Sequence, residues 1–312
     1  MGDGLRGVPS GSADGVGASS GSADGAGASS GSAVGAGFAA RVAAAVAVTG
    51  PLCVGIDPSP FLLRQWGLED DGAGLEAFGR SVVEALVGVV AVVKPQVAFF
   101  ERLGSAGYRA LEGVLEAARH AGLLVVADAK RGDIGSTAEA YAAAWLDPAS
   151  PLAADAVTAV PYLGMGALEP LFARASETGR GVIVVARSSN PEGAGVQLAR
   201  TVDGTSLGDS VLAAVASANV SGRYRPGTVG AVVGATLEPS AFDLTRVGGV
   251  LLLPGVGAQG ATAASVARLV AGCPMGTVLP SSSRAILGAG PDLSRVREAA
   301  RSAQGALTAA MG

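Results

Sequence analysis

The segment Asp128-Ala-Lys130-Arg-Gly-Asp133-Ile134 sets two carboxylates and an ammonium close together, directly after the apolar run LLVVA. Such a run reads as a buried strand. Side chains alternate along a strand with period two, so Asp128 and Lys130 share one side, where the carboxylate keeps the ammonium charged and positioned. That arrangement suits a catalytic trio with Asp133, and the alternative is a structural ion pair closing the strand. For Asp133 the alternative is a helix N-cap. However, Ser136-Thr-Ala-Glu139 reads as a capping box of its own, which leaves Asp133 outside the helix without a capping role.

The lysines add weight to this segment. Of the 22 Lys plus Arg, only Lys94 and Lys130 are lysines. A preference for Arg codons accounts for the scarcity but not for the placement, since each survivor ends an apolar run, VVAVVK and LLVVADAK. An ammonium can release its proton when its surroundings shift its pKa, whereas a guanidinium effectively cannot.

These residues need a scaffold. Eight strand-like runs follow one another from LCVGID at 52–57 through VAVVKPQ, LLVVADAK, DAVTAV, GVIVVA, VGAVVGA and VLLLPGV to GTVLPS at 276–281. Ala-rich stretches with helical spacing separate most of them, among them EAFGRSVVEALV, YRALEGVLEAARHAG and STAEAYAAAWL. Eight β/α units in about 270 residues predict an α/β fold of the (β/α)₈ TIM-barrel type over residues 37–312. An open doubly wound sheet would have fewer strands, and no Gly-x-Gly-x-x-Gly follows the first strand. Residues 11–36 repeat a Gly/Ala/Ser/Asp unit with no large apolar side chain, which predicts a disordered tail over residues 1–36.

In this barrel the reacting residues come from the carboxyl ends of strands, and phosphate is often held after strands seven and eight. Asp57 ends strand one, Lys94 ends strand two, and Ser189 follows strand five. Gln259 lies in the glycine-rich loop Pro254–Gly260, and Arg284 follows the serines 281–283, a set suited to a phosphate dianion.

Taken together, Asp128–Ile134 with VGIDPSP, VKPQVAFFE, PYLG, SSNPEG, PGVGAQG and SRAIL resembles the orotidine 5′-phosphate decarboxylase family, in its longer bacterial (type 2) subgroup. The resemblance runs from about Pro51 to about Leu287. It implies decarboxylation of orotidine 5′-monophosphate to uridine 5′-monophosphate in pyrimidine biosynthesis, without metal or organic cofactor. It makes Lys130 the proton donor to the C6 carbanion and puts Asp128 beside the departing carboxylate, with Lys94 and Asp133 completing the charge array. Asp57 and Lys94 would reach the ribose hydroxyls, Ser189 the pyrimidine, Gln259 both base and phosphate, and Arg284 the phosphate. Asp133 and Thr137 would reach the site of a second subunit, which implies a homodimer.

Two other readings are weighed against this one. A sister enzyme using the same motif on a sugar phosphate would need a divalent metal and an extra acidic ligand, for which Glu101 is the nearby candidate. A catalytically silent phosphate-binding barrel would need none of the Asp-Lys-Asp charges. A net charge of -4 without a basic patch argues against nucleic acid as a partner. No stretch reaches the roughly 18 apolar residues of a membrane span, and no leader-like segment opens the chain, so a cytoplasmic protein is expected. Cys53 and Cys273 lack metal-ligand spacing and read as reduced, buried thiols. His120, the only histidine, reads as a helix C-terminal residue.

Overall fold

The computed structural model describes Met1 and residues 36–312, so the tail expected over 1–36 lies almost wholly outside the described residues. Eight parallel strands close into a barrel in sequence order: β1 (Cys53–Ile56), β2 (Val92–Pro95), β3 (Leu124–Arg131), β4 (Ala156–Ala159), β5 (Gly181–Arg187), β6 (Val229–Val233), β7 (Leu251–Pro254) and β8 (Val278–Ser282). All eight fall on the expected runs. They are rich in Val, Ile, Leu and Ala and are buried almost throughout, as a sheet covered on both faces requires.

Twelve α-helices surround the described barrel. They are α1 (Phe38–Thr49), α2 (Pro60–Gln65), α3 (Gly72–Leu86), α4 (Val97–Glu101), α5 (Gly104–His120), α6 (Gly135–Leu146), α7 (Glu169–Thr178), α8 (Ala194–Gln197), α9 (Leu207–Val220), α10 (Ala263–Leu269), α11 (Arg284–Leu287) and α12 (Leu293–Met311). Side chains of Asp71, Ser206, Thr262 and Asp292 accept bonds from the first-turn amides of α3, α9, α10 and α12, which fixes where those helices begin. His120 ends α5, where a basic residue complements the helix dipole.

The structure differs from the sequence reading in three places. The sixth strand is followed only by a 3₁₀ turn at Leu244–Arg246, because Pro239 and Gly248-Gly249 interrupt the stretch that would carry a helix. The capping box at 136–139 does not form. Helix α6 already begins at Gly135, whose φ of 52° turns the chain in, so Ser136 lies inside the first turn and no side chain caps the helix.

The third difference is α1, which the strand-and-helix alternation did not anticipate. Its Phe38, Ala39, Val42 and Val46 are buried with Cys53, Val92, Val126, Ile183 and Leu279 in a cluster at the amino-terminal mouth of the barrel. Phe38 lies so close over Gly181 that a Cβ there would come within 2.3 Å of its ring. Arg41 is tied to Asp155 at 2.5 Å and to the Gly179 carbonyl. The helix thus plugs the floor, and the opposite mouth is left for chemistry. Cys53 and Cys273 are free and buried, as expected. Burial pushes the Cys53 thiol up to about 12 and that of Cys273 to about 11, so neither is a ready nucleophile.

Candidate active site

At the carboxyl mouth a cavity of about 590 Å³ is lined by Asp57, Lys94, Asp128, Lys130, Ser189, Gln259 and Arg284. Seven residues from six different strands or the loops after them therefore converge. Their placement follows from pleating: Lys94 and Gln96 sit two apart on and after β2, and Cys53, Gly55 and Asp57 alternate along β1, so all of these face the barrel axis.

Asp128 is the hub. Lys94 Nζ donates to its Oδ2 at 2.9 Å, and Lys130 Nζ donates to its Oδ1 at 2.6 Å. Gln96 Nε2 adds a bond to Oδ2 at 3.1 Å and Thr158 Oγ1 one to Oδ1 at 2.9 Å. Burial alone would push this carboxyl's pKa up. The ammonium charges of Lys94 and Lys130 and their hydrogen bonds outweigh it, and Asp128 is held well below the usual carboxylate range. Burial likewise opposes the Lys94 charge, but Asp128 and Asp57 overcome it and raise its pKa above the ordinary lysine value. Lys94 and Asp128 are sealed in the floor, whereas the Lys130 side chain is 48% exposed and reaches up into the cavity.

The route by which Lys130 meets Asp128 differs from simple alternation. Ala127 pairs with Val157, but the next paired residue on β3 is Arg131, opposite Ala159. Residues 128–130 thus face the single residue Thr158. The bulge puts Lys130 at φ 49°, the only positive φ of a non-glycine among the described residues. A left-handed conformation costs a non-glycine residue about 1–2 kcal/mol. Thr158 accepts the Lys130 amide at 2.9 Å while donating to Asp128, so one hydroxyl holds both ends of the bulge.

The far rim carries groups suited to an anion and to hydroxyls. Ser189 Oγ lies 3.3 Å from Gln259 Oε1, joining the loops after β5 and β7. Gly255, Gly257 and Gly260 all have positive φ, and a Cβ at Gly257 would press on Ala285 at 3.1 Å, so the loop after β7 needs its glycines. Arg284 opens α11 and lies exposed at the rim. Two buried polar atoms, Asp57 Oδ1 and Ser283 Oγ, have no hydrogen-bond partner and belong to residues lining the cavity, as acceptors and donors for a polar ligand would.

Asp133 and Thr137 are not brought into this lining. Asp133 accepts its neighbour's amide, Ile134 N–H, at 2.8 Å, and Thr137 is exposed on α6. Glu101 is held by Arg131 at 2.7 Å and by the Tyr108 hydroxyl at 2.8 Å. Sequence reasoning passed over Gln96 and Thr158. Gln96 follows Lys94 by two residues, so the alternation already pointed to it, and Thr158 is the polar interruption of the apolar run DAVTAV.

Comparison with known proteins places this geometry. The family model described as orotidine 5′-phosphate decarboxylase / HUMPS family matches residues 50–299. The chain is 55% identical over 263 residues to the orotidine 5′-phosphate decarboxylase of Salinispora arenicola, covering 84% of this chain and 94% of that one. It is 53% identical over 264 residues to that of Streptomyces coelicolor, with 84% and 94% covered. A crystal structure from Streptomyces avermitilis assigned to the same activity superimposes with a TM-score of 0.83 at 51% identity, covering 88% of this chain and 96% of that one. The Leishmania donovani OMP decarboxylase gives 0.71 at 30% identity, with 88% and 99% covered.

Proposed function

The chain belongs to the orotidine 5′-phosphate decarboxylase / HUMPS family, and its reaction is the decarboxylation of orotidine 5′-monophosphate to uridine 5′-monophosphate in pyrimidine biosynthesis; from that premise we propose the parts its residues take. When the C6 carboxylate leaves as CO₂, the bonding electron pair stays on C6. Lys130, half exposed above Asp128, donates an ammonium proton to that carbon and recovers one from water afterwards. The observation that carries this reading is Asp128 fixed between two ammonium groups on the cavity floor. Charge already oriented needs no reorganisation as the carbanion develops, and such preorganisation is the main resource for a barrier reduction on the order of 20 kcal/mol.

Asp128 remains an anion beside the leaving carboxylate, while Lys94 neutralises it from below and turns toward Asp57. The unpartnered Oδ1 of Asp57 accepts a ribose hydroxyl. Ser189 meets the pyrimidine edge, Gln259 spans base and phosphate, and Arg284 takes the phosphate dianion with Ser283, which follows β8. Binding energy from the non-reacting phosphate can then drive closure and desolvation at the reacting carbon.

Asp133 and Thr137 act across a homodimer interface. In support, Ile134, Tyr162 and Leu163 are 62%, 83% and 55% exposed. They lie on the connections after the adjacent strands β3 and β4, where Gly132 packs against Val160. Apolar exposure of this kind beside a site marks a surface that associates.

Loss of orotidine 5′-monophosphate absorbance on adding purified protein, with and without a chelator, tests the proposal. Equal activity in both arms is expected. Activity that vanishes in chelator and returns with magnesium would overturn the cofactor-free reading.

A further inference from the structure

Arg131, the residue directly after Lys130, turns away from the cavity and is anchored from several sides. Its Nη1 donates to the Ala129 carbonyl at 2.9 Å, and its Nη2 donates to Glu101 Oε1 at 2.7 Å on α4. The Tyr108 hydroxyl on α5 stands 3.4 Å from Nη2 and itself donates to the same Glu101 oxygen at 2.8 Å. The guanidinium carbon lies 5.8 Å from the Tyr141 ring centroid and 5.9 Å from that of Trp145, both on α6. The Arg131 backbone is fixed as well, since its carbonyl accepts the Val160 amide at 2.9 Å.

These contacts surround one residue. The peptide joining Ala129 to Lys130 is held at both ends, its carbonyl by Arg131 and its N–H by Thr158, and one residue further on the Arg131 carbonyl is held by the Val160 amide. Lys130 is also the non-glycine residue forced into left-handed φ. A conformation of that kind persists only where the surroundings over-determine it. The anchor is partly buried, with the Arg131 side chain 19% exposed, and the planar fork of a guanidinium can grip a carbonyl and a carboxylate at once while lying over aromatic rings.

We propose that Arg131, with Glu101 and Tyr108, is a positioning device for Lys130: it holds the bulge from outside the barrel and so sets the height of the ammonium above Asp128. This rests on the assignment of Lys130 as proton donor. Arg131, Glu101 and Tyr108 lie outside the cavity lining, so substrate binding does not depend on them directly.

The split between turnover and binding tests this. Arg131→Met should lower kcat about 10- to 100-fold, since displacing a reacting group by about an ångström costs up to that much. KM, and Kd for uridine 5′-monophosphate, should stay within about three-fold of wild type. Arg131→Lys, which keeps the charge and stem without the fork, should fall between Met and wild type. Glu101→Gln and Tyr108→Phe, which remove less, should show the same split with smaller losses, and they carry the test if Arg131→Met does not fold. Wild-type kcat in folded Arg131→Met, or KM and Kd rising in step with the loss of kcat in any of the variants, would overturn the positioning role. An inactive Lys130→Met protein that still binds uridine 5′-monophosphate would leave the proton-donor assignment intact whatever Arg131 does. A Lys130→Met protein with near-wild-type turnover would remove the premise separately.

Discussion

At the scale of single residues, a lysine is needed at position 130 for more than its charge. A guanidinium is a poor proton donor and too bulky for a cavity fitted to an ammonium 2.6 Å from Asp128. Lys130→Arg should therefore lower kcat by at least about 100-fold, the usual worth of a positioned acid, as a direct assay of decarboxylation would show. The buried partner, Lys94, has a stability consequence as well. Removing one member of a buried ion pair leaves the other uncompensated, so Lys94→Met should destabilise the fold by about 3 kcal/mol or more at pH 7. In the wild type the Asp128 carboxyl sits below its unfolded value, so its contribution is fully present above about pH 4 and is lost as pH falls through the folded value. In the variant that value moves back up and the contribution is already gone. The gap between the two proteins should narrow below about pH 4, and urea unfolding showing the same gap at pH 7 and pH 3.5 would contradict the account.

At the scale of elements, α1 and the catalytic bulge occupy opposite mouths of the barrel. Phe38, 1% exposed, fills the floor where the strands begin, over Gly181. Truncating it leaves a void that the rigid barrel cannot close. Phe38→Ala should cost about 3–5 kcal/mol by urea unfolding while leaving KM and kcat nearly unchanged at temperatures where the protein stays folded. A parallel loss of turnover would show that the floor and the site are coupled. The glycine-rich loop after β7 and the short α11 do the complementary work at the other mouth, where they carry Gln259 and Arg284 to the rim.

For the whole molecule, the described barrel is closed at its floor by α1, which begins at Phe38. Removing residues 1–34 should leave kcat and the thermal midpoint nearly unchanged, and a fall in either would assign those residues a role in the fold. Among the described residues no helix is long and apolar enough to cross a membrane. If Asp133 serves a partner's site, Lys130→Ala and Asp133→Ala proteins, each nearly inactive, should regain activity when unfolded and refolded together. Random association makes half the dimers mixed, and one of the two sites in each is intact, so recovery should approach about a quarter of the wild-type activity. No recovery would mean that each site is complete within one chain.

What the sequence determined by itself is whatever depends on neighbours along the chain. The apolar β-branched runs located eight strands, because burial on both faces leaves a continuous signal in each run. Strand-end placement likewise marked Asp57, Lys94, Asp128, Lys130, Ser189, Gln259 and Arg284, since barrel strands deliver their last side chains to one mouth. Tertiary structure decided what depends on residues far apart in sequence. Thr158 meets Asp128 across 30 positions and Gln96 across 32, distances at which no local periodicity operates. Simple alternation brought Asp128 and Lys130 together on paper, but the protein does it through a bulge and a left-handed lysine. The capping box at 136–139 failed for a local reason instead: the turn at Gly135 started the helix before Ser136 could cap it. Even α1, amphipathic and local in origin, acquired its place only when the ring closed, because the floor it fills exists only after β8 has paired with β1.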